Sequence, residues 1–317
     1  MWKLSLEQKL PEQRQIFADT LIDIMNDNDR VMMLEADLGG ASLSTKVQKA
    51  HPSQFINVGI AEANMTGIAA GLSMVGYVPF IHTFTPFVAR RALDQLFLSG
   101  AYAGNNIKVY ASDPGICVGV NGGTHTSFED IAAIRAIPTA MVFDPADGVQ
   151  LEWLIRTLIP IHGVHYIRTS RKAMPSIYEK GSTFTLGKGN VLKDGSDVLL
   201  LAMGETLYPS LQAAFALEKE GISVEVIDVF TVKPIDAQLI LTHWAGKKLV
   251  VTAENHSIIG GLGSAVAELL AEQGSAPRLH RIGITDRFGQ VGSTEYLAKE
   301  YGLDKDSIIK SVHSALR

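Results

Sequence analysis

The chain has 317 residues, 46% of them hydrophobic, and a formal net charge of −5, so it is long enough for two domains and lacks the basic surface expected of a nucleic-acid-binding protein. Cys117 is the only cysteine, which excludes an internal disulfide and a cysteine-based metal cluster. The N-terminal residues 1–15 are charged and polar, and no apolar run reaches the ~20 residues of a membrane span, so we expect a cytoplasmic protein without a membrane partner.

The first part of the chain alternates short apolar runs with amphipathic segments of helical length. Strands are predicted at Val31–Glu35, Phe55–Val58, Val78–Ile81, Ile107–Ala111 and Thr139–Phe143. Helices are predicted at Arg14–Asn26, Ala61–Met74, Pro86–Leu98, Ser127–Arg135 and Gly148–Leu158. Most of the strand runs are uniformly apolar, which is typical of strands buried on both faces of a parallel sheet. The alternation therefore predicts right-handed βαβ units.

A glycine-rich and proline-containing stretch, residues 168–195, interrupts this pattern and predicts a linker that ends in a hairpin-like segment. Beyond it, strands are predicted at Val198–Ala202, Val224–Asp228 and Lys248–Thr252, with helices at Leu207–Glu220 and Ser264–Gln273. The sequence thus predicts an α/β protein of two domains, each an open, mostly parallel sheet flanked by helices. We place the first domain at 1–175, the linker at 176–190 and the second domain at 191–317.

Glu62 follows a predicted strand and stands at the start of a predicted helix. Ligands of open α/β sheets bind beyond the carboxyl ends of the strands, so a buried carboxylate there is suited to proton exchange with a ligand. An acidic residue in the first turn of a helix is also favoured for purely structural reasons. Position alone leaves both interpretations open.

Two further segments follow predicted strands. Phe84 and Phe87, three residues apart after the strand Val78–Ile81, could pack against a flat ring, although ordinary core packing explains them equally well. A long loop with four glycines follows the strand Ile107–Ala111 and ends at His125, which could exchange a proton near neutral pH. Such a loop is more typical of a binding site than of a simple connection.

Arg168 and Arg171 close the first predicted domain. Two arginines at this spacing could grip an anionic group through paired hydrogen bonds. A solvated pair of linker charges is the structural alternative.

The order and spacing of these segments resemble the transketolase family. The string GIAEANM resembles the family's G-I-x-E-x-x-M, TFTPF resembles T-F-x-x-F, and GVNGGTH resembles G-x-D-G-x-T-H. ADLGGAS and IRTSR resemble the opening and closing segments of its pyrimidine-binding domain. Glu254-Asn255-His256 and the glycines of 260–263 resemble its C-terminal domain. The resemblance covers essentially the whole chain and implies ketol transfer.

One family motif is missing. Transketolases bind diphosphate and a divalent metal through a G-D-G motif followed by a distant Asn, and this sequence contains no G-D-G. The resemblance therefore implies that an N-terminal, diphosphate-binding subunit is a separate chain, which mainly holds Mg²⁺ or Ca²⁺, and that the two chains form an α2β2 heterotetramer. This chain itself is expected to supply no metal ligand.

The resemblance also assigns residues to the cofactor thiamine diphosphate. Glu62 is expected to hydrogen-bond N1′ of the aminopyrimidine and to activate the cofactor. Phe84 and Phe87 are expected to pack on that ring, and Asp37 to lie near it at the subunit interface.

Other residues are assigned to a sugar or sugar-phosphate substrate. By resemblance, His125 contacts a substrate oxygen, and Arg171, with Arg168 as a second candidate, holds an anionic tail. Asp113 stands where the family often has His, and Asn121 where it commonly has Asp. Because a carboxylate repels phosphate, we expect modified, branched or non-phosphorylated sugars.

Three alternatives remain at this stage. The chain could be the β-subunit of a 2-oxoacid dehydrogenase E1, or a fragment similar to 1-deoxyxylulose 5-phosphate synthase. It could also be a non-catalytic assembly subunit that uses only the fold. The sequence leaves the roles of Arg90 and His256 open.

Overall fold

The computed structural model describes residues 1–317, which form two sheets and the helices packed on them. The strands are β1 (Val31–Glu35), β2 (Phe55–Asn57), β3 (Val78–Phe84), β4 (Ile107–Ser112), β5 (Met141–Phe143), β6 (Val164–Thr169), β7 (Asn190–Lys193), β8 (Val198–Ala202), β9 (Val224–Asp228), β10 (Thr231–Lys233), β11 (Leu249–Ser257) and β12 (Arg278–Ile284). The helices are α1 (Gln13–Asp27), α2 (Gly39–Ser42), α3 (Ser44–Ala50), α4 (Glu62–Met74), α5 (Thr85–Phe87), α6 (Leu93–Gln95), α7 (Asp130–Arg135), α8 (Gly148–Leu158), α9 (Leu207–Lys219), α10 (Ala237–His243), α11 (Leu262–Ala271), α12 (Thr294–Glu300) and α13 (Lys305–Leu316).

The first sheet has seven strands in the order β10-β5-β6-β4-β3-β1-β2, and β1 to β6 all run parallel. The second sheet has the order β12-β11-β8-β9-β7, with β7 antiparallel at one edge. The predicted fold class is thereby confirmed. Because the parallel strands share one direction, their carboxyl ends lie along a single edge of the first sheet, where ligands are expected.

The two sheets are joined by an exchanged strand. β10 follows β9 of the second sheet along the chain, yet it pairs antiparallel with β5 of the first sheet, with Thr231 opposite Phe143. One hydrophobic cluster also contains residues of both sheets, among them Val142, Ile227 and Val250. The core is therefore continuous across the predicted domain boundary, and that boundary stays a prediction.

The stretch 168–195 is more ordered than the sequence suggested. Residues 168 and 169 belong to β6, and Ile177 and Tyr178 are fully buried, with both backbone N–H groups donating to Asp147 Oδ2 at 2.8 Å. The prediction of a hairpin-like segment is wrong. β7 pairs with β9 and not with β8, the next strand along the chain. Buried carboxylate acceptors thus hold the segment against the core, which glycine content alone does not reveal.

The helix predicted at Pro86–Leu98 is interrupted. Short α-helical turns alternate with two π-helical segments, Val88–Ala92 and Leu96–Tyr102. Single π-helical turns are rare and are often found at functional sites. No helix of the structure is both long and apolar enough to cross a bilayer.

Candidate active site

The candidate site lies along the carboxyl edge of the first sheet. Glu62 begins α4 after β2, Phe84 ends β3, Asp113 follows β4, and Arg171 follows β6. These positions come from separate parts of the sequence, and the parallel topology places them at one edge. The structure thus brings together most of the residues that the sequence singled out.

Glu62 is a buried residue, and only one oxygen of its carboxylate accepts hydrogen bonds from the chain. The residue is only 3% exposed, and its Oε1 accepts hydrogen bonds from Arg91 Nη1 at 2.9 Å and from Thr83 Oγ1 at 3.3 Å. The other oxygen, Oε2, forms no hydrogen bond with the chain. Oε2 is therefore free to accept a hydrogen bond from a ligand donor.

Arg91 was not predicted from the sequence. Its side chain is 45% exposed, and its guanidinium carbon lies 3.9 Å from the centroid of the Phe87 ring. The pair Arg90-Arg91 in the sequence was the available signal. The π-helical turn at Val88–Ala92 determines which of the two faces Glu62, and α-helical periodicity does not reveal it.

Phe84, Phe87 and His125 form an aromatic group. The two phenylalanine rings are nearly parallel, at an angle of 25° and a centroid distance of 5.9 Å. The His125 ring stands edge-on to both, at 6.3 Å from Phe84 and 5.5 Å from Phe87. This arrangement gives a flat apolar surface beside a titratable ring.

The glycine-rich loop that carries His125 is fixed by the second half of the chain. A segment between β12 and α12, residues 285–293, lies against it, and Gly292 N–H donates to Gly119 O at 3.4 Å. A β-carbon on Gly123 would lie only 2.6 Å from Gly289 O, and one on Gly289 would lie 2.6 Å from the Thr126 side chain. The two backbones meet where no side chain fits, so glycines are required on both sides.

Arg90 supports the same loop from the other side. Its Nε donates to Glu129 Oε1 at 2.7 Å, and its Nη2 donates to Thr126 O at 2.8 Å. Arg90 therefore has a positioning role for the end of the loop and makes no hydrogen bond to Glu62.

Asp113 and Arg171 form an ion pair beside Phe84. Asp113 Oδ1 lies 3.2 Å from Arg171 Nε, and the guanidinium carbon of Arg171 lies 5.7 Å from the Phe84 ring centroid. Asp113 is 1% exposed, and burial raises its pKa although Arg171 opposes the shift. Asp113 therefore reaches a substrate only through Arg171, whereas the sequence assigned it to direct contact.

A buried series of hydrogen-bonded polar side chains leads from Glu35 to Asp113. Glu35, which ends β1, accepts from His82 Nδ1 at 2.9 Å, and His82 Nε2 lies 3.0 Å from Ser112 Oγ. Ser112 Oγ in turn donates to Asp113 Oδ2 at 3.2 Å. Burial alone would raise the pKa of Glu35, but His82 and two serine hydroxyls outweigh it and lower that pKa. This series of side chains was not predicted, because its members look like ordinary strand residues in the sequence.

Arg168 is located away from any ligand-accessible surface. It is fully buried, with Nε 2.8 Å from Asp130 Oδ2, Nη1 donating to Asp144 Oδ2 at 2.7 Å and Nη2 donating to Asn255 O at 3.0 Å. Burial opposes its charge, but Asp130 and Asp144 outweigh that effect and raise the pKa of Arg168. Its assignment to the substrate is therefore not supported, because its guanidinium already joins the two halves of the chain.

The remaining assigned residues lie at the margins or in the core. Asp37, in a left-handed conformation with φ of 62°, is exposed and exchanges hydrogen bonds of 3.2 Å with Asn57. Asn121 is exposed at the end of the turn Gly115–Asn121. His256 is buried 4.0 Å from Asp130, and burial lowers its pKa. His256 therefore belongs to the interior network and not to the aromatic group.

The site fits one half of thiamine diphosphate. Glu62 Oε2 and the parallel rings of Phe84 and Phe87 offer an acceptor and a flat apolar face, which are the contacts that an aminopyrimidine needs. No group of three or more His, Cys, Asp and Glu side chains in the structure is arranged to hold a metal ion. The arrangement thus fits the pyrimidine end of the cofactor.

Comparisons with known proteins cover both halves of the chain. Residues 10–176 match the family described as "Transketolase, pyrimidine binding domain", and residues 187–308 match "Transketolase, C-terminal domain". Two curated relatives are similar along nearly their whole length. The 6-deoxy-6-sulfo-D-fructose transketolase subunit SqwH of Clostridium sp. (strain MSTE9) is 44% identical over 97% of this chain and 96% of its own.

The second relative is one subunit of the apulose-4-phosphate transketolase of Phocaeicola vulgatus, which is 35% identical over 94% of this chain and 95% of its own. Among solved structures, one described as "Split gene transketolase, inactive beta4 tetramer" is 38% identical and superposes with a TM-score of 0.87. That match covers 96% of this chain and 98% of the other.

Proposed function

Since this chain belongs to the transketolase family, we propose that it is the pyrimidine-binding and C-terminal subunit of a split transketolase. The enzyme transfers a two-carbon ketol unit from a ketose donor to an aldose acceptor. The observation that carries this proposal is the buried Glu62 residue, with one free carboxylate oxygen beside Phe84, Phe87 and His125, in a sequence that contains no G-D-G motif.

Each residue of the site has a separate role in this proposal. When bound, thiamine diphosphate supplies the carbanion chemistry of ketol transfer. Glu62 shares a proton at Oε2 with the ring nitrogen N1′, and burial removes the water that would compete for it. Phe84 and Phe87 orient the ring, and His125 exchanges a proton with a substrate oxygen.

The partner supplies the other end of the cofactor. We propose a diphosphate-binding subunit that holds Mg²⁺ or Ca²⁺ and assembles with this chain as α2β2. Large apolar side chains are exposed on and around α4 and on the second π-helical segment: Ile60, Met74, Val75, Phe97, Leu98 and Tyr102. Exposed apolar side chains of this size suit a subunit interface. Asp37, exposed at the end of β1, is proposed to lie at that interface.

The substrate is proposed to be a modified or branched sugar. Asp113 neutralises Arg171, which weakens the one cation placed to hold a phosphate tail. Asn121, exposed on the loop of His125, is proposed to face the sugar hydroxyls. Relatives named for 6-deoxy-6-sulfo-D-fructose and for apulose 4-phosphate support the modified or branched skeleton, although both of these sugars carry an anionic group.

The names of these relatives favour transketolase over a 2-oxoacid dehydrogenase β-subunit or a deoxyxylulose-phosphate synthase fragment. The joint presence of Glu62, two phenylalanines and His125 argues against an assembly-only subunit. A cytoplasmic location and the absence of nucleic-acid and membrane partners stay predictions from the sequence.

The test is the variant Glu62→Gln in the complex with the partner subunit. The amide keeps the size of the side chain but cannot exchange the proton, so we expect ketol transfer to fall by roughly 10²- to 10⁴-fold. Assembly, followed by gel filtration, should be unchanged. Glu152→Gln is the matched control, because Glu152 is a partly exposed carboxylate that is also paired with an arginine. Full activity of Glu62→Gln would instead indicate an assembly-only subunit.

A further inference from the structure

One guanidinium meets both groups that the pyrimidine would use. Arg91 Nη1 donates to Glu62 Oε1 at 2.9 Å, and the same guanidinium lies 3.9 Å over the ring of Phe87. A guanidinium is planar and carries N–H donors along its edge. It therefore makes one in-plane hydrogen bond, to the Glu62 oxygen next to Oε2, and it covers the Phe87 face that is proposed above to pack on the aminopyrimidine.

We propose that Arg91 is an internal stand-in for the cofactor's aminopyrimidine and must leave before the ring can bind. This inference rests on the proposed function, since it assumes that Glu62 and Phe87 are pyrimidine contacts. While Arg91 is in place, Glu62 faces a group that does not release its proton. The isolated chain thus pairs Glu62 Oε1 with a group that cannot take part in proton exchange and keeps the ring of Phe87 covered.

The contacts of Arg91 suit a group that can be displaced. Its side chain is 45% exposed and makes no hydrogen bond other than the one to Glu62. The Arg91 end of the ion pair is half exposed and the Glu62 end is buried, so Arg91 leaves at small cost only when the ring supplies Glu62 with a new hydrogen-bond donor; a surface cation–π contact adds little. By contrast, the neighbouring Arg90 is held by both Glu129 and Thr126. Arg91 can therefore return to water at small cost, whereas Arg90 is anchored.

The π-helical segment explains why Arg91 can reach both groups. Val88–Ala92 lies between β3 and α6, beside the start of α4. Consecutive residues of any helix point in different directions, and the wider π-helical turn shifts those directions from their α-helical values. Arg90 points to the glycine-rich loop and Arg91 to Glu62.

The experiment measures binding of the pyrimidine half alone to the isolated, full-length chain. The probe is 4-amino-5-hydroxymethyl-2-methylpyrimidine, and its Kd is measured by isothermal titration calorimetry. Arg91→Met keeps the length of the side chain and removes the charge and the planar group. We expect this variant to bind the probe about 10-fold more tightly than the wild type, because it has no ion pair or cation–π contact to break. Arg30→Met is the matched control, because Arg30 is also exposed, pairs with a carboxylate and lies over an aromatic ring, that of Tyr77, and this variant should bind like the wild type.

Three outcomes are decisive. Equal or weaker binding by Arg91→Met overturns the proposal, and if Glu62→Gln also lowers affinity, the proposed function still stands. A gain in Arg91→Met that is lost in the double variant with Glu62→Gln supports both. A gain that survives Glu62→Gln supports displacement of Arg91 but rejects the role of Glu62 in the proposed function.

A second variant protects the test against misfolding. Arg91→Lys keeps the charge and loses the planar stack, so about a 3-fold tighter Kd is expected. Thermal unfolding of each variant is followed in parallel by circular dichroism. If no folded variant binds the probe more tightly than the wild type, the stand-in role is rejected.

Discussion

At the residue scale, Asp113 controls how much positive charge Arg171 presents. The two groups lie 3.2 Å apart, and Asp113 is buried while Arg171 is 22% exposed. Asp113 has a φ of 60°, a conformation in which Asp, Asn and His are the best tolerated residues other than glycine. The position therefore admits either a carboxylate or a neutral side chain, and the choice alters the charge that a substrate meets.

Asp113→Asn is expected to shift substrate preference towards phosphorylated ketoses. Loss of one negative charge about 10 Å from a phosphate is worth roughly 1.7 kcal/mol at an effective dielectric constant of about 20, so kcat/KM should rise about 20-fold. Turnover of a neutral ketose should not change. The measurement is steady-state kinetics of the complex with xylulose 5-phosphate and with an uncharged ketose.

Asp94→Asn is a suitable control, because Asp94 is exposed and forms no ion pair. An equal change for both ketoses with Asp113→Asn would show that the carboxylate does not act through charge.

At the element scale, strongly patterned segments were predictable and irregular ones were not. β1, β8 and α8 have the predicted ends because each is an uninterrupted apolar or amphipathic run. β10 has only three residues, and β12 carries two arginines and a histidine along a sheet edge, so neither has a periodic signal. Such elements are set by the surfaces they meet.

The residues of the candidate site also divide into those that the sequence could predict and those that it could not. The sequence could single out Glu62, Phe84, Phe87 and His125 because their spacing resembles a family pattern, and the topology places them at one edge of the sheet, while their roles stay predictions. Arg91 could not be found, because a π-helical turn is invisible to α-helical periodicity. Arg168 was misassigned because its carboxylate partners, which come from other elements, are far away in sequence.

Contact between the glycine-rich loop and the segment 285–293 also belongs to the element scale. Gly289→Ala would place a methyl group 2.6 Å from the Thr126 side chain and displace the end of the loop that carries His125. We expect KM for the sugar to rise several-fold, while Kd for the aminopyrimidine probe stays unchanged, because Glu62 and Phe87 are not moved. Gly274→Ala, where a β-carbon meets nothing, is the control. A parallel change in probe affinity would contradict a role limited to the substrate loop.

At the scale of the whole molecule, the buried Arg168 network joins the two halves. Arg168 pairs with Asp130 and Asp144 and donates to the backbone of Asn255 in β11. Tyr166 also donates to Asp130 at 2.8 Å. Every charge in this network has a partner, which is the condition under which buried ions are tolerated.

Arg168→Met is expected to lower the free energy of unfolding by about 3–5 kcal/mol, because it leaves two buried carboxylates without their counter-ion. Urea denaturation followed by circular dichroism measures the loss. Arg156→Met, which removes an exposed arginine with two carboxylate partners, should cost no more than about 1 kcal/mol. Equal effects of the two substitutions would show that burial does not set the energy of the network.

The exchanged strand β10 determines how this protein can be divided into expression fragments. A fragment that stops between the two sheets would lack Thr231–Lys233, and β5 would present unpaired backbone groups at Val142 and Phe143. Open sheet edges recruit other chains, so such a fragment would tend to aggregate. The other fragment, which contains the second sheet, would carry β10 without its pairing partner β5. We therefore expect stable expression only of fragments that keep both sheets together.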